Sequence, residues 1–216
     1  MNVLGSTNSV FNQFVAEIRD DKIQKDSMRF RRNMERCGEI FAYEISKKLA
    51  YKNTTVQTPL GETDLAVLND QPVLATILRA GLPMHQGLLN YFDTAENAFI
   101  SAYRKHDKNE ETFTIKMEYL SSPSIDNKVL IISDPMLATG ASMVTVINAL
   151  LNIGTPKHIH IVSLIASKEG LSYIRKNTNK ERVTLWLGFI DDELTATSYI
   201  VPGLGDAGDL AFGKKE

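Results

Sequence analysis

The sequence predicts an α/β protein built on a mostly parallel, doubly wound sheet, and three observations support this prediction. Short apolar runs bounded by proline, glycine or polar residues have the length and composition of buried strands. Helix-like stretches separate several of these runs, which is the alternation of a parallel sheet. The chain has 216 residues, of which 43% are hydrophobic and 23% charged, so it can bury one substantial core. The apolar runs are residues 73–78, 98–103, 129–133, 159–166 and 183–190.

The first quarter of the chain is predicted to be helical. Residues 27–50 carry apolar side chains mostly at three- and four-residue steps, including Phe30 and Met34, which is the spacing of one helix face. Ser9 can cap a shorter helix that ends near Asp20. We therefore expect two helices before the sheet begins.

The helix-like stretches between the apolar runs are residues 81–92, 140–154 and 169–177. Two other stretches break the alternation. Residues 112–120 resemble an exposed strand with a polar face, and residues 199–216 are rich in glycine with little periodicity. We interpret both as appendages around a site.

No internal repeat, low-complexity tract or long linker divides the sequence. We therefore predict a single domain over residues 1–216. Within it we distinguish a helical N-terminal segment (1–50), a core (51–190) and a C-terminal segment (191–216).

Composition and charge exclude several classes of protein. A formal net charge of -2 gives no whole-molecule attraction to nucleic acid or to an anionic membrane, so a bound phosphate must be met by local donors. The single cysteine, Cys37, has no second cysteine or histidine at metal spacing and fits a reducing compartment. No run approaches the roughly 20 apolar residues that span a bilayer. We therefore expect a cytoplasmic protein that is neither secreted nor inserted in a membrane.

Residues 129–142 carry the clearest signal for a binding site, because an apolar strand runs into an acid, a turn of small residues and an amphipathic helix. Ligands of open parallel sheets gather where strands end, and a helix N-terminus there offers unpaired N–H groups. Gly140 allows close backbone approach, Thr139 and Ser142 add hydroxyl donors, and Asp134 can accept hydrogen bonds from sugar hydroxyls. The alternative is an ordinary strand-to-helix turn with a Thr139 cap and a solvated Asp134.

The C-terminal segment contains G-x-G-x-x-G at Gly203, Gly205 and Gly208. A dinucleotide-binding fingerprint also needs an acidic residue about 20 positions further on, but only eight residues follow Gly208. We therefore regard the match as accidental. A loop over residues 199–208 instead exposes backbone donors and acceptors beside small side chains, which suits a flat, neutral heterocycle.

Two segments resemble a known enzyme family. Residues 130–142 resemble the signature that binds phosphoribosyl pyrophosphate (PRPP) in type I phosphoribosyltransferases: a strand, an acid, four residues, then Thr-Gly. Many members have a second acid where this chain has Pro135, and DPMLATG is similar to the uracil phosphoribosyltransferase branch. The run YIVPGLGDAGD, residues 199–209, resembles the uracil-binding motif of that branch. Ala141 and Leu210 depart from the glycine and arginine that are common at these positions.

The resemblance implies a type I phosphoribosyltransferase fold with a C-terminal base-binding hood and a flexible β-hairpin lid. It implies an enzyme of pyrimidine salvage that joins uracil to PRPP, giving UMP and pyrophosphate. The implied uracil-binding residues are Ile200, Gly205, Asp206 and Ala207. Of these, Ile200, Gly205 and Ala207 would contact the base through their backbones, and Asp206 would face PRPP. The implied PRPP-binding residues are Arg79, Arg104, Asp134, Pro135, Met136, Leu137, Ala138, Thr139, Gly140, Ala141, Ser142 and Asp206.

Two arginines are candidates for binding pyrophosphate. Arg79 closes an apolar run and is either a clamp for a second anion or a surface arginine. ILRAG, residues 77–81, resembles the family segment that cradles pyrophosphate, where a non-proline cis peptide often follows the strand. Arg104 opens the charged residues 104–112, which form either a lid over PRPP or a solvated turn. The similarity of Tyr103 and Arg104 to the family's flexible loop favours the lid.

The expected chemistry is displacement at ribose C1 through an oxocarbenium-like transition state. We assign catalytic roles to Arg79, Arg104, Asp134 and Asp206, with Mg²⁺ arriving on PRPP oxygens. The four histidines lack zinc spacing, so no metal held by the protein alone is implied. The resemblance also implies a homodimer or higher homo-oligomer and raises GTP as an effector.

Two alternatives use the same fold. An RNA-binding regulator is one, because several arginines on the second predicted helix lie close enough to form a basic patch. Glu35 and Glu39 interrupt this patch and favour a solvated or subunit-facing helix. A nucleotide sensor without catalysis is the other, since binding and turnover need the same loops. The arginines of the patch are Arg29, Arg31, Arg32 and Arg36.

Overall fold

The computed structural model describes residues 1–106 and 113–215, with the backbone alone for 103–106 and 113–115. The two predicted N-terminal helices form, and each begins at a side-chain cap. The Ser9 hydroxyl accepts the N–H of Phe11, and the Asp26 carboxylate accepts that of Arg29. The helices are α1 (Val10–Arg19), α2 (Ser27–Ser46), α3 (Leu82–Leu89), α4 (Ala141–Leu151), α5 (Lys168–Asn177) and α6 (Ala207–Phe212).

The strands form one large sheet and two small ones. They are β1 (Asn2–Val3), β2 (Tyr51–Thr58), β3 (Gly61–Leu68), β4 (Val73–Leu78), β5 (Glu96–His106), β6 (Phe113–Ser121), β7 (Val129–Ser133), β8 (Met136–Leu137), β9 (His158–Ser167), β10 (Val183–Asp191), β11 (Glu193–Leu194) and β12 (Ile200–Val201). The central order is β1-β10-β9-β7-β4-β5-β6, with β8 paired to β9. Its described pairs are parallel except β5 with β6. The prediction of a mostly parallel sheet is therefore confirmed.

Helices cover both faces of this sheet, as the doubly wound prediction requires. Alternate strand residues supply the two cores: Leu74 and Ile131 belong to one, Val73 and Ile132 to the other. The first core packs against buried side chains of α1, α2 and α3, and the second against those of α4 and α5. Because the strands are buried on both faces, their sequences are continuous apolar runs.

The structure also contains elements that the sequence analysis did not assign. β2 and β3 form an antiparallel hairpin whose side chains are mostly exposed. α6 lies in the glycine-rich C-terminal stretch, where the Asp206 side chain accepts the N–H of Asp209 and starts the helix. The second helix, predicted over 27–50, ends at Ser46. Among the helices of residues 1–106 and 113–215, none has both the length and the apolar character that crossing a membrane requires.

Candidate functional site

A cleft of about 860 Å³ opens where β4 and β7 end, beside the middle of β5, and the C-terminal segment forms its other wall. Ligands of parallel sheets bind at this edge. The cleft therefore brings together the two segments that the sequence analysis singled out. Its lining residues are Ile77, Leu78, Arg79, Ala80, Ser101, Ala102, Asp134, Met136, Ala138, Ser142, Thr197, Ser198, Tyr199, Ile200, Gly205, Asp206, Ala207, Gly208 and Lys215.

The phosphate turn, residues 134–142, connects β7 to α4. Gly140 has a φ of 76°, which glycine adopts without strain, and a Cβ there would lie 2.8 Å from the carbonyl oxygen of Gly170. Thr139 and Gly140 line a recess of about 30 Å³ that shares four lining residues with the cleft. The N-terminal end of α4 therefore faces a space where an anion can be met by backbone N–H groups. The shared residues are Asp134, Met136, Ala138 and Ser142.

The N-terminus of α5 supports this turn, and the sequence analysis missed that support. The Ser167 hydroxyl donates to the Ala138 carbonyl at 2.5 Å and accepts the Gly170 N–H at 2.8 Å. A Cβ at Gly170 would lie 2.3 Å from the Ala138 oxygen, so the two backbones touch. Ser167 and Gly170 thus fix the shape of the turn. No local sequence pattern predicts this contact, because the two segments are distant in sequence.

The residues of the phosphate turn differ in whether they line the cleft, the recess or neither. Asp134 lines the cleft, and its Oδ1 accepts the Met136 N–H at 3.3 Å. Leu137 lines only the recess and is 2% exposed. Pro135 and Ala141 line neither space: the Pro135 carbonyl accepts N–H groups from β9, and the Ala141 N–H donates to the Thr139 hydroxyl at 3.4 Å. Pro135 and Ala141 therefore contribute to the shape of the turn through backbone hydrogen bonds, without lining either space.

Arg79 lies at the rim where β4 ends. The peptide bond between Leu78 and Arg79 is cis, as the resemblance implied. The next turn is tight, because a Cβ at Gly81 would lie 2.2 Å from the Thr76 hydroxyl oxygen. Arg79 Nη2 donates to Asp209 Oδ1 at 3.0 Å and to the Gly213 carbonyl at 3.2 Å. Arg79 therefore links the sheet edge to the C-terminal helix.

The second candidate arginine is only partly described. β5 pairs antiparallel with β6, and Arg104 lies opposite Ile115 in the backbone register. The Arg104 side chain and residues 107–112, which make up most of the predicted lid, lie outside the described residues.

The base loop, residues 199–208, forms the opposite wall of the cleft. Ile200 is 4% exposed and contributes to both the core and the cleft. Gly205 has a φ of 90°, and a Cβ there would meet no atom within 4 Å, so its backbone borders open space. β12, which begins this loop, pairs antiparallel with β11 outside the central sheet. This pairing agrees with the interpretation of the glycine spacing at Gly203 as accidental.

Several lining residues escaped the sequence analysis. Ser101 lies in the middle of β5, opposite Leu78 at the end of β4, and its position in the cleft depends on this strand pairing. Thr197 and Ser198 precede the base loop without any motif of their own. Lys215 lines the cleft, and its Nζ lies 3.4 Å from Asp206 Oδ2. Lys215 and Arg79 are therefore the two basic side chains among the described residues that line the cleft.

Two of the four arginines in the proposed basic patch on α2 form ion pairs within the described part of the chain. Arg29 forms a two-pronged ion pair with Glu17, and hydrogen bonds from Arg29 and Asn33 hold the pKa of Glu17 at about 2. Arg32 pairs with Glu35 at 2.9 Å. Arg31 and Arg36 donate to the Ala211 carbonyl and to Asn33, respectively. The ion pairs of Arg29 and Arg32 therefore offset part of the charge that the patch offers to an RNA backbone, whereas the acceptors of Arg31 and Arg36 are neutral.

No group of three or more histidine, cysteine or acidic side chains forms a metal cluster in the described ranges. Two carboxylates, Asp134 and Asp206, nevertheless line the same cleft. Carboxylate oxygens are ligands that Mg²⁺ prefers, and Mg²⁺ is commonly held by one or two of them together with substrate phosphates. The donor set therefore fits a magnesium ion that binds with a phosphorylated substrate.

Comparison with known proteins agrees with this geometry. The family model for uracil phosphoribosyltransferase matches residues 6–214. A uracil phosphoribosyltransferase of Porphyromonas gingivalis is 58% identical over 212 residues, covering 98% of this chain and 97% of that protein. One from Methanothermobacter thermautotrophicus is 37% identical and covers 88% of this chain and 86% of its own length. The solved structure of the AQ2163 protein from Aquifex aeolicus superposes with a TM-score of 0.86 at 29% identity, covering 99% of this chain and 98% of that one. On sequence and on fold together, this chain belongs to the uracil phosphoribosyltransferase family.

Proposed function

We propose that this protein transfers the phosphoribosyl group of PRPP to uracil, forming UMP and pyrophosphate, and so salvages a pyrimidine base. One observation carries the proposal: the phosphate turn and the base loop line a single cleft. A sugar phosphate held on one wall and a heterocycle held on the other bring the reacting atoms together. Family membership supports the same reaction.

The reaction breaks the bond from ribose C1 to pyrophosphate and forms a bond from C1 to N1 of uracil, which loses its proton. Negative charge grows on the departing pyrophosphate, so cations near it lower the barrier. Arg79, at the rim of β4, and Arg104 are the proposed clamp. Asp134 accepts hydrogen bonds from the ribose hydroxyls, and the turn at Thr139 and Gly140 holds the 5′-phosphate.

Asp134 and Asp206 are the side chains that would hold Mg²⁺ together with PRPP oxygens. When bound, Mg²⁺ neutralises part of the pyrophosphate charge. Asp206 also starts α6 by accepting the Asp209 N–H at 2.9 Å, so the carboxylate is fixed where the base loop meets the PRPP side. Lys215 stands beside it as a second counter-ion for phosphate.

Base selection follows from the backbone of the base loop. Uracil presents two carbonyl acceptors with an N3–H donor between them, whereas cytosine reverses the polarity at two positions. Ile200, Gly205 and Ala207 offer backbone groups at the cleft wall. Each buried polar group left unpaired costs about 1 to 3 kcal/mol, so a mismatched base is rejected without any charged residue.

The remaining proposals concern cellular context and assembly. We propose that residues 1–216 act as one domain in the cytoplasm. A homodimer or higher homo-oligomer is supported by the β2–β3 hairpin, which exposes Tyr51, Leu65 and Val67, because a lone two-stranded hairpin is marginal in water. Light scattering tests the assembly. Comparing initial rates with and without GTP tests whether GTP acts as an effector.

The decisive test is UMP formation from uracil and PRPP with Mg²⁺ present, with cytosine, hypoxanthine and orotate as competing bases. We expect UMP from uracil alone, in a yield that equals the pyrophosphate released. Full activity of an Arg79→Ala, Arg104→Ala double variant would refute the clamp. Binding of PRPP and uracil without turnover would indicate the sensor instead, and salt-dependent RNA retention would indicate the regulator.

A further inference from the structure

An ion pair between Arg19 and Asp191 joins the end of α1 to the end of β10. Arg19 Nη1 donates to Asp191 Oδ2 at 2.8 Å, and Nη2 donates to Oδ1 at 2.9 Å. The Asp191 side chain is 8% exposed and that of Arg19 is 22% exposed. The guanidinium also lies over the Phe189 ring, 5.4 Å from its centre. Two-pronged pairs of this kind are directional, so the geometry is well defined.

The same pair holds both polar backbone groups of Gly203. The Gly203 N–H donates to Asp191 Oδ2 at 2.9 Å, and the Gly203 carbonyl accepts from Arg19 Nη1 at 3.3 Å. A Cβ at Gly203 would lie 2.1 Å from the Ile200 carbonyl oxygen, so the loop folds closely on itself here. The base loop is thus anchored at its middle by side chains that are distant in sequence.

None of the three anchoring residues lines the cleft, but the residues on either side of the anchor do. Ile200 precedes Gly203 and Gly205 follows it, and both are cleft residues. Because short chain segments join them to Gly203, a shift of Gly203 moves both of them. The phosphate turn is built separately, on β7 and α4.

We propose that Arg19 and Asp191 are positioning residues for base recognition, setting the spacing of the backbone groups at Ile200 and Gly205 that pair with uracil. This role rests on the proposed function. Binding constellations must be held to within about 0.5 Å, so loosening the anchor weakens base binding. PRPP binding is affected less, because the phosphate turn has other supports, from Ser167 and Gly170, and Asp206 is the one residue of the base loop that we assign to PRPP.

The test compares KM for uracil with KM for PRPP in Asp191→Ala, Asp191→Asn and a matched control, Asp192→Ala. Asp192 is the next residue along and pairs with Lys168 in an exposed ion pair at 2.7 Å. We expect Asp191→Ala to raise KM for uracil about 10- to 100-fold and KM for PRPP less than about threefold. Asp191→Asn keeps an oxygen for the Gly203 N–H and recovers part of the loss. The control changes neither constant.

An equal rise in both KM values would overturn the proposal, as would a lower kcat and melting temperature with KM for uracil unchanged. Should Asp191→Ala fail to fold, Arg19→Lys decides by the same criterion, because it keeps the charge and removes the two-pronged geometry.

Hydrogen exchange of the amides from Gly203 to Asp206 gives a readout without turnover. We expect faster exchange in Asp191→Ala than in Asp192→Ala, and equal exchange would also overturn the proposal. Absence of UMP formation by the unaltered enzyme would refute the proposed function. The hydrogen-exchange result would still test whether Asp191 holds the base loop in place.

Discussion

Arg79 Nη2 lies 3.0 Å from Oδ1 of Asp209, so the residue that follows β4 is paired with a residue of the C-terminal helix α6. The two side chains are 40% and 31% exposed, and an ion pair this accessible is worth only about 0 to 1 kcal/mol. Pyrophosphate carries several negative charges and many acceptor oxygens, so it competes well with the Asp209 carboxylate for the Arg79 guanidinium. The pair therefore keeps Arg79 at the rim of the cleft without withholding it from a substrate.

Arg79→Ala should lower kcat/KM for PRPP about 10²- to 10³-fold, because it removes a donor to the charge that develops on pyrophosphate. The melting temperature should change little, since the ion pair that is lost is exposed. Steady-state kinetics and thermal unfolding measure both effects.

Two controls separate the clamp from general charge effects. Asp209→Asn removes the ion pair alone and should change KM for PRPP less than about threefold. Arg175→Ala removes an exposed arginine of α5 and should change nothing. A loss in Arg175→Ala as large as that in Arg79→Ala would show that the clamp assignment is wrong.

Gly140→Ala should impair PRPP binding and destabilise the fold. The substitution forces alanine to a φ of 76°, which costs about 1 to 2 kcal/mol, and brings its Cβ within 2.8 Å of the Gly170 oxygen. KM for PRPP should rise more than KM for uracil, because the phosphate turn is displaced. Gly61→Ala is the control: its φ is also positive, but a Cβ there meets no atom within 4 Å. Equal loss of activity in both variants would contradict the account.

Gly205→Ala should impair uracil binding more than PRPP binding, the reverse of the effect expected for Gly140→Ala. Its Cβ meets no protein atom within 4 Å, so the stability loss is limited to the backbone cost of a positive φ, about 1 to 2 kcal/mol. The added methyl group lies beside the base-binding wall, and KM for uracil should rise more than KM for PRPP. Kinetics with each substrate varied in turn test this, and a rise confined to PRPP would count against the assignment of the base loop.

Stability should fall in acid through His160, whose ring Nδ1 accepts the Trp186 Nε1–H at 3.0 Å. Burial is the main cause that lowers the pKa of His160 to about 4, with a smaller effect from the neighbouring His158. The unfolded chain takes up the proton near pH 6.5, whereas the folded protein does not until about pH 4. The unfolded state is therefore favoured progressively across this window, by about 3 kcal/mol at its lower limit, and there is no effect above it.

Urea unfolding at pH values between 7.5 and 4 measures this loss. His160→Asn retains an acceptor for the Trp186 Nε1–H but cannot take up the proton. Its stability should depend less on pH over the same window. An identical pH dependence in both proteins would refute the assignment to His160.

The sequence predicted the parts of the fold whose signal is local. Strands such as β7 and β9 are buried on both faces and therefore read as continuous apolar runs. The phosphate turn could also be predicted from the sequence, because the flanking strand and helix fix the spacing between Asp134 and Gly140. Backbone geometry favours glycine at position 140, where φ is 76°.

Other features were not readable because their causes are distant in sequence or lack a pattern. The β2–β3 hairpin has mostly exposed side chains, so no apolar face marked it. α6 was hidden by the glycines around it and depends on the Asp206 cap. The pairs of Arg79 with Asp209 and of Arg19 with Asp191 join residues more than a hundred positions apart. Only the folded chain reveals them.

A crystal structure with bound UMP tests the central claim most directly, because the nucleotide must contact both walls of the cleft at once. The account predicts the 5′-phosphate at the backbone N–H groups of the phosphate turn, from Ala138 to Ser142, and the uracil ring against Ile200 and Gly205. A nucleotide bound with its phosphate away from that turn, or with its base away from the base loop, would contradict it.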